Sequence, residues 1–208
     1  MQRDGGLALT FVNTASRRRS SLETYADLLD FTRRHVKVRS TVVDALEDFA
    51  EAHPEEAAAA FEEAGEVLKV LSRIFNALAD RQEPTRDAVQ ALNSYFKGPL
   101  PARCLSRSGE YFRWVWASPG ATDLRRPLWY VLWSAGEILT SPKDCRRITR
   151  CAAEDCGALF VARNPGKPRK WCDKPCGSRA TSRAHYQKNI RPMREEFRRA
   201  REAAKWSS

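Results

Sequence analysis

The sequence lacks the features that mark several broad classes of protein. It has no apolar run approaching the ~20 residues that a membrane-spanning helix needs, so we expect no membrane span. Its first residues contain no hydrophobic signal core, which argues against secretion and favours the cytoplasm. It has neither a glycine-rich phosphate loop nor a nucleophile elbow. We therefore expect a cytoplasmic protein that is not an enzyme.

The composition is that of a chain that can bury a hydrophobic core. It has 208 residues, of which 42% are hydrophobic and 30% charged. This length fits one domain, or one domain with a small module. The formal charge is +10, but residues 146–208 carry 17 Lys and Arg against 6 Asp and Glu, whereas residues 1–145 are nearly neutral. This asymmetry predicts that the last third binds nucleic acid or another polyanion.

Four of the six cysteines lie close together in the basic third of the chain. Cys151 and Cys156 form one pair, and Cys172 and Cys176 form a second pair after fifteen intervening residues. In a reducing compartment such clusters bind metal more often than they form disulfides. Two short-spaced pairs suit tetrahedral zinc, and four thiolates leave no position for a catalytic water. The sequence therefore predicts one structural zinc ion, with Cys145 or His185 as less favoured alternative ligands.

The first 140 residues are predicted to be mostly helical, with a small sheet. An apolar run predicts a strand over residues 7–12. The aromatic segment 111–117 predicts one strand of a hairpin. Residues 141–144 resemble a linker. The predicted helices begin after a cap at Ser20 or Ser21, near Ser40, at Pro54 and at Pro84, and a fifth covers residues 123–139.

The cysteine-rich segment predicts a small module of its own. Residues 159–161 and 169–171 read as two short strands joined by a turn-forming segment. A helix is predicted to begin near Cys176, which gives a treble-clef-like plan, and a basic amphipathic helix follows Pro192. The predicted fold class is thus α+β. The predicted parts are a helical domain with a small sheet (1–140), a zinc finger (145–190) and a basic C-terminal helix (191–208).

Three segments of this module resemble a known family. Residues 150–157, 169–172 and 176–179 (Arg-Cys-Ala-Ala-Glu-Asp-Cys-Gly, Arg-Lys-Trp-Cys and Cys-Gly-Ser-Arg) are similar to the CGNR-type zinc finger of bacterial proteins. That finger normally follows an ABATE domain, and residues 7–14 are similar to the start of that domain. The resemblance implies a DNA-binding regulator of transcription.

The chain departs from the family pattern at two positions. Ser178 stands where the family has its signature asparagine, so the chain loses an amide donor there. Thr10 stands where the family usually has an aspartate. Any function of those two side chains in the family is therefore lost or changed in this protein.

The basic residues of the module define the predicted nucleic-acid surface. Arg179 and Arg183 are four residues apart and share one face of the predicted helix. A helix held by zinc could enter a major groove and read guanine, or its cations could contact phosphates alone. The predicted contact residues are Arg163, Lys167, Arg169, Lys170, Arg179, Arg183 and Lys188.

The favoured function is a DNA-binding transcription regulator that contacts double-stranded DNA. Its helical domain would sense a small-molecule effector or mediate assembly, with a homodimer as one candidate. Asn13, Thr14 and Arg17 are the candidate ligand-binding residues, and an enzyme pocket there is a weaker hypothesis. The alternatives are a zinc-stabilised module that binds an acidic protein, or one that binds RNA.

Overall fold

The structure, a computed structural model, describes residues 6–15, 22–98, 100–116, 122–162 and 169–205. The helices are α1 (Gly6–Val12), α2 (Tyr25–His35), α3 (Ser40–Ala52), α4 (Pro54–Ala79), α5 (Arg86–Phe96), α6 (Arg126–Leu139), α7 (Pro142–Cys145), α8 (Lys174–His185) and α9 (Arg191–Lys205). The strands are β1 (Arg103–Ser108), β2 (Tyr111–Trp116), β3 (Ile148–Arg150) and β4 (Leu159–Val161). The prediction of a mostly helical α+β protein is confirmed.

The segment predicted as a strand over residues 7–12 is helix α1, so that prediction is wrong. An apolar run of this length has no periodicity that separates a buried strand from a buried helix. Five of the seven α1 residues are buried, and the helix packs between α4 and α6. Gly6 has a φ of +80°, and a Cβ there would lie 2.7 Å from Ser134 Oγ. Glycine therefore allows the start of α1 to approach α6 closely.

Helix α2 begins later than its sequence signal indicates. The predicted cap residues, Ser20 and Ser21, lie outside the described residues, and the N-cap of α2 is Thr24, which forms a capping box with Asp27. The hydrogen bond from the backbone N–H of Glu23 contributes most to lowering the pKa of Asp27. Helices α3 and α4 begin where the sequence predicts them, and α4 is the long helix on which α1, α2, α3 and α5 pack.

The hairpin of β1 and β2 is present as predicted, with antiparallel pairs from Arg103–Trp116 to Ser108–Tyr111. Its base packs on α6, where the ring centroids of Trp116 and Trp129 are 5.5 Å apart. Beyond this base the hairpin projects into solvent, so several of its large side chains are exposed.

The second hairpin differs from its prediction. Strand β4 pairs antiparallel with β3, through Ile148–Val161 and Arg150–Leu159, and not with residues 169–171. Residues 169–171 form no strand, although the Lys170 carbonyl accepts a hydrogen bond from the Ala152 N–H. Strand β3 was not predicted, because the residues beside Ile148 are polar and the segment lacks the apolar pattern of a buried strand. The predicted linker 141–144 also differs, since residues 142–144 lie in the short helix α7, which Ser141 caps.

Strand β4 contributes to two hydrophobic cores at once. Leu159 and Val161 belong to the main core of the helical body, together with the fully buried Ile148 of β3. Phe160, between them, packs among the four clustered cysteines. Because alternate side chains of a strand point to opposite faces, this sheet joins the body to the finger.

A single long helical segment ends the described chain. Helix α8 passes through a π turn (Tyr186–Ile190) into α9. In that turn the Arg191 N–H bonds the Tyr186 carbonyl, five residues back. Pro192 has no N–H and crowds the preceding turn of a regular α-helix, which accounts for a π turn at this place. Among the described helices, none is both long and apolar enough to cross a bilayer.

Candidate metal centre

The first cysteine pair is held by a tight turn between β3 and β4. Cys151 follows β3 directly, and its N–H donates to the Ala158 carbonyl at 2.8 Å. The Cys156 N–H closes the turn on the Ala153 carbonyl at 3.0 Å. Gly157 follows with a φ of +62°, a conformation that favours glycine. This turn, residues 151–156, is called the knuckle below.

The second pair lies at the start of α8. The Asp173 carboxylate caps the helix by accepting a hydrogen bond from the Cys176 N–H at 2.8 Å, which fixes Cys176 in the first turn. Cys172 precedes the helix, and its N–H points at the Cys151 sulfur, 3.4 Å away. At Gly177 an added Cβ would lie 3.3 Å from the Trp171 ring, so this ring packs directly on the helix backbone.

The four sulfurs form a compact cluster of the size that zinc requires. All four Sγ atoms lie within 4.8 Å of one another. The Cys156–Cys172 and Cys172–Cys176 Sγ distances are 3.7 and 3.6 Å. A tetrahedron with Zn–S bonds of about 2.3 Å has sulfur–sulfur edges of about 3.8 Å. Cys151, Cys156, Cys172 and Cys176 therefore form the site of one structural zinc ion.

The electrostatics of the cluster favour a bound cation. Burial raises the pKa of the Cys172 thiol, and burial together with the nearby groups raises that of Cys176 to about 12. Four thiolates at these distances repel one another, and a divalent cation removes that cost. Burial alone would raise the pKa of Cys151, but backbone N–H donors, those of Ala153 and Cys172, lower it. Within the described residues the cluster includes neither Cys145 nor His185.

Arg179 and Arg183, both predicted to contact nucleic acid, point at the acidic residues of the knuckle. The Arg179 guanidinium donates to the Cys176 sulfur at 3.2 Å and lies 3.7 Å from the Asp155 carboxylate. Arg183 pairs with Glu154 at 2.8 Å. These contacts fasten α8 onto the knuckle and partly neutralise both arginines.

The other predicted contact residues have diverse positions. The Arg169 guanidinium lies 4.8 Å from the centroid of the Phe160 ring, which places it against the finger core. Lys170 and Lys188 are exposed. Arg163 and Lys167 lie outside the described residues. The predicted contact residues do not include four exposed arginines of α9, which contribute to the charge of the last third: Arg191, Arg194, Arg198 and Arg199.

The candidate ligand residues near the N-terminus have structural partners. The Asn13 amide donates to the Leu159 carbonyl and accepts from the Leu159 N–H, both at 2.8 Å. Thr14 is buried, and its hydroxyl donates to the Phe11 carbonyl at 2.7 Å. Arg17 lies outside the described residues. Asn13 thus joins α1 to the outer edge of β4.

A second set of polar contacts joins the end of α4 to β3. The Arg150 guanidinium donates to both carboxylate oxygens of Asp80 at 2.9 Å and to Asn76 Oδ1 at 2.7 Å. Arg81 donates to the Arg146 carbonyl at 2.7 Å. The partners are more than sixty residues apart in sequence, so no local pattern could have predicted these contacts.

The two residues that depart from the family pattern, Thr10 and Ser178, both lie within helices. The Thr10 hydroxyl donates to the Gly6 carbonyl at 3.3 Å, within α1. Ser178 lies inside α8 and is not its cap, because Asp173 has that role.

The body has an open cleft of about 650 Å³ that sequence analysis did not identify. It lies between the first residues of α1, the end of α2 and one face of α6, with Trp133 and Tyr130 on its wall. His35 lines it as well, and burial, with a smaller effect of Arg34, lowers the pKa of this histidine.

These observations define a zinc-finger protein with a helical N-terminal body. Two family models match the chain: the ABATE model, described as "Putative stress-induced transcription regulator", over residues 5–142, and the CGNR zinc finger over residues 147–189. The chain belongs to the ABATE family and carries a C-terminal CGNR zinc finger, as its motifs indicate. A search of curated proteins found no match. The matched families are regulator and zinc-finger families, not families of enzymes.

Proposed function

We propose that the protein is a cytoplasmic transcription regulator that binds double-stranded DNA through its C-terminal third. In this proposal residues 1–140 form a sensing or assembly domain, 145–190 the finger, and 191–208 a basic helix. The observation that carries the proposal is the charge of the helical segment 174–205, which has ten Lys and Arg against three Glu. Such a segment, about 48 Å long and fixed at one end by zinc, can follow a phosphate backbone.

The cations that favour DNA most are those without an acidic partner. Lys188, Arg198 and Arg199 are exposed and form no ion pair with another described residue. Arg179 and Arg183 would first have to separate from the knuckle carboxylates. Initial phosphate contacts are therefore expected from the π turn and α9, with base contacts from α8 as a later step.

A salt series tests the proposal. We would measure binding of the full chain to a random-sequence duplex by fluorescence anisotropy at increasing KCl. The triple variant K188Q/R198Q/R199Q should make the slope of the logarithm of the binding constant against the logarithm of the KCl concentration shallower by about 2 to 3. Each lost phosphate contact removes about 0.9 from the magnitude of this slope. Arg86→Gln, an exposed arginine on α5, is the matched control and should change nothing.

Four results would contradict the DNA proposal. Binding that is absent at low salt, or that does not depend on salt, rules out phosphate recognition. Tighter binding to single-stranded RNA than to duplex DNA would favour the RNA alternative. A protein that co-purifies after nuclease treatment, while the chain has no affinity for DNA, would favour an acidic protein partner.

The cleft in the body supports the sensing part of the proposal. It reaches Gly6 and Leu7 at the beginning of α1, and Asn13 just after the end of α1 holds β4 of the finger hairpin. A ligand that shifts α1 would therefore act on the finger through one rigid element.

A ligand that raises the melting temperature of the wild-type protein should not raise that of Trp133→Ala. It should still raise the melting temperature of Val89→Ala, a variant on α5. Asn13→Ala should retain ligand binding and lose the ligand's effect on DNA affinity, and a ligand effect that survives this substitution would exclude α1 as the link.

A further inference from the structure

Helix α9, together with the last residue of the π turn before it, exposes an apolar face that no described part of the chain covers. Ile190, Met193 and Phe197 follow one another at intervals of three and four residues, which places them on one stripe. Met193 and Phe197 are 68% and 74% exposed. Large apolar side chains aligned in this way mark an interaction surface more often than scattered ones do.

The stripe has the spacing of a coiled-coil seam. If Ile190 is position a of a heptad, Met193 is d and Phe197 is the next a. The sequence continues the register with alanine at positions 200 (d) and 204 (a), and the helix backbone extends to residue 205. The seam is about two heptads long, so it suits a weak and reversible pairing.

We propose that α9 pairs in parallel with α9 of a second copy of this chain. The residues beside the seam are self-complementary in that orientation: Glu196 is at position g, and the sequence places Arg201 at the following e. In a parallel pair, g of one helix faces the next e of its partner, so Glu196 meets Arg201 of the other copy twice. An antiparallel pair would bring the e positions, Arg194 and Arg201, together instead.

The charge distribution around α9 favours a second copy over other occupants. Glu195 is paired with Arg191 within the helix at 2.9 Å, whereas Glu196 makes no ion pair with another described residue. The apolar stripe itself offers nothing to a phosphate backbone. Arg198 and Arg199 lie at positions b and c, on the side away from the seam, and stay open to DNA in the dimer.

Parallel pairing has a geometric consequence for the two zinc sites. Both fingers lie at the N-terminal ends of the paired helices, so a two-fold axis along the seam places them side by side. Dimeric DNA-binding proteins use such an axis to bind two half-sites of a palindrome. The pairing does not itself require DNA.

Sedimentation equilibrium of the nuclease-treated, zinc-loaded chain at about 1–100 µM tests the pairing. The wild-type protein should show a monomer–dimer equilibrium, and Phe197→Glu should be monomeric throughout. Phe112→Glu, on the β1–β2 hairpin, is a matched control, because Phe112 has the same side chain and is 67% exposed. This control should remain dimeric.

Charge exchange tests the orientation. Glu196→Lys and Arg201→Glu should each weaken the dimer by roughly three- to tenfold, because each converts two attractions into two repulsions. The double variant should regain wild-type affinity, and a mixture of the two single variants should form the heterodimer in preference to either homodimer.

A chain that is monomeric at every concentration would overturn the proposal. So would dissociation by Phe112→Glu in place of Phe197→Glu, which would assign the interface to the hairpin. A double variant that does not recover affinity would contradict the parallel orientation. Because these measurements contain no DNA, their failure would leave the DNA-binding result unaffected.

Discussion

Asn13 acts as a substitute for a strand at the open edge of β4. Its amide satisfies both the N–H and the carbonyl of Leu159, as a neighbouring strand would. An aspartate has the same shape but cannot donate, so it would leave the Leu159 carbonyl without its partner.

Asn13→Asp should therefore lower the free energy of unfolding by about 1–3 kcal/mol, the cost of an unsatisfied buried polar group. Urea unfolding monitored by circular dichroism would measure the change. Asn93→Asp, on the exposed face of α5, is the control and should have little effect. Equal stability of the two variants would show that the amide does not hold the finger.

Arg179 illustrates how a charged residue can serve the metal without binding it. Its guanidinium donates to the Cys176 sulfur, and a donor to a coordinating thiolate lowers the charge that zinc must balance. Arg183, one turn further, pairs with Glu154 and has no contact with a sulfur.

Arg179→Gln should weaken zinc binding by about 10- to 100-fold, as loss of a supporting contact commonly does. Competition with a chromophoric chelator would give the affinity. Arg183→Gln is the matched control and should bind zinc as the wild-type protein does. If both variants lost affinity equally, helix packing and not the sulfur contact would be responsible.

Glu154→Gln tests the DNA contact that we propose for the same helix. It would remove the closer of the two carboxylates that pair with Arg183, Glu154 at 2.8 Å, and leave Asp155 at 3.9 Å. It should therefore strengthen DNA binding several-fold at low salt, whereas Arg183→Gln should weaken it. Anisotropy titrations would compare the two variants. An unchanged affinity in both would exclude Arg183 from the DNA surface.

At the scale of elements, periodic segments were predicted well and short buried ones were not. Helices α3 and α4 show clear apolar periodicity and helix-start residues, and the cysteine spacing indicates the zinc site directly. Helix α1 is apolar almost throughout, which removes periodicity as a signal. Strand β3 has one buried apolar residue, so only its tertiary partner, β4, identifies it.

Removal of zinc should affect the elements of the finger unequally. Helix α8 depends on Cys176 at its start, whereas β3 and β4 also belong to the body core through Ile148, Leu159 and Val161. After chelation, hydrogen exchange should accelerate strongly in α8 and only modestly in β3 and β4. Readdition of zinc should restore protection, and uniform loss across both elements would contradict the shared core.

At the scale of the whole molecule, the body and the finger are joined by packing and by polar contacts, from which we expect them to unfold as one unit. Strand β4 shares its side chains between two cores, and Arg150 adds contacts to Asp80 and Asn76. The zinc-loaded chain should therefore unfold in a single calorimetric transition, with equal calorimetric and van't Hoff enthalpies. Two separate transitions in the zinc-loaded protein would show that the shared strand does not couple the unfolding of the body to that of the finger.

The shared strand also limits how this zinc finger could be transferred to another protein. A fragment cut at residue 147 would carry Ile148, Leu159 and Val161 as an uncovered apolar patch on its hairpin. Such a graft would need a new apolar surface beneath it, or polar replacements at those three positions. An insertion of a single residue in β4 would exchange the inward and outward side chains, so the strand tolerates substitution far better than a change of length.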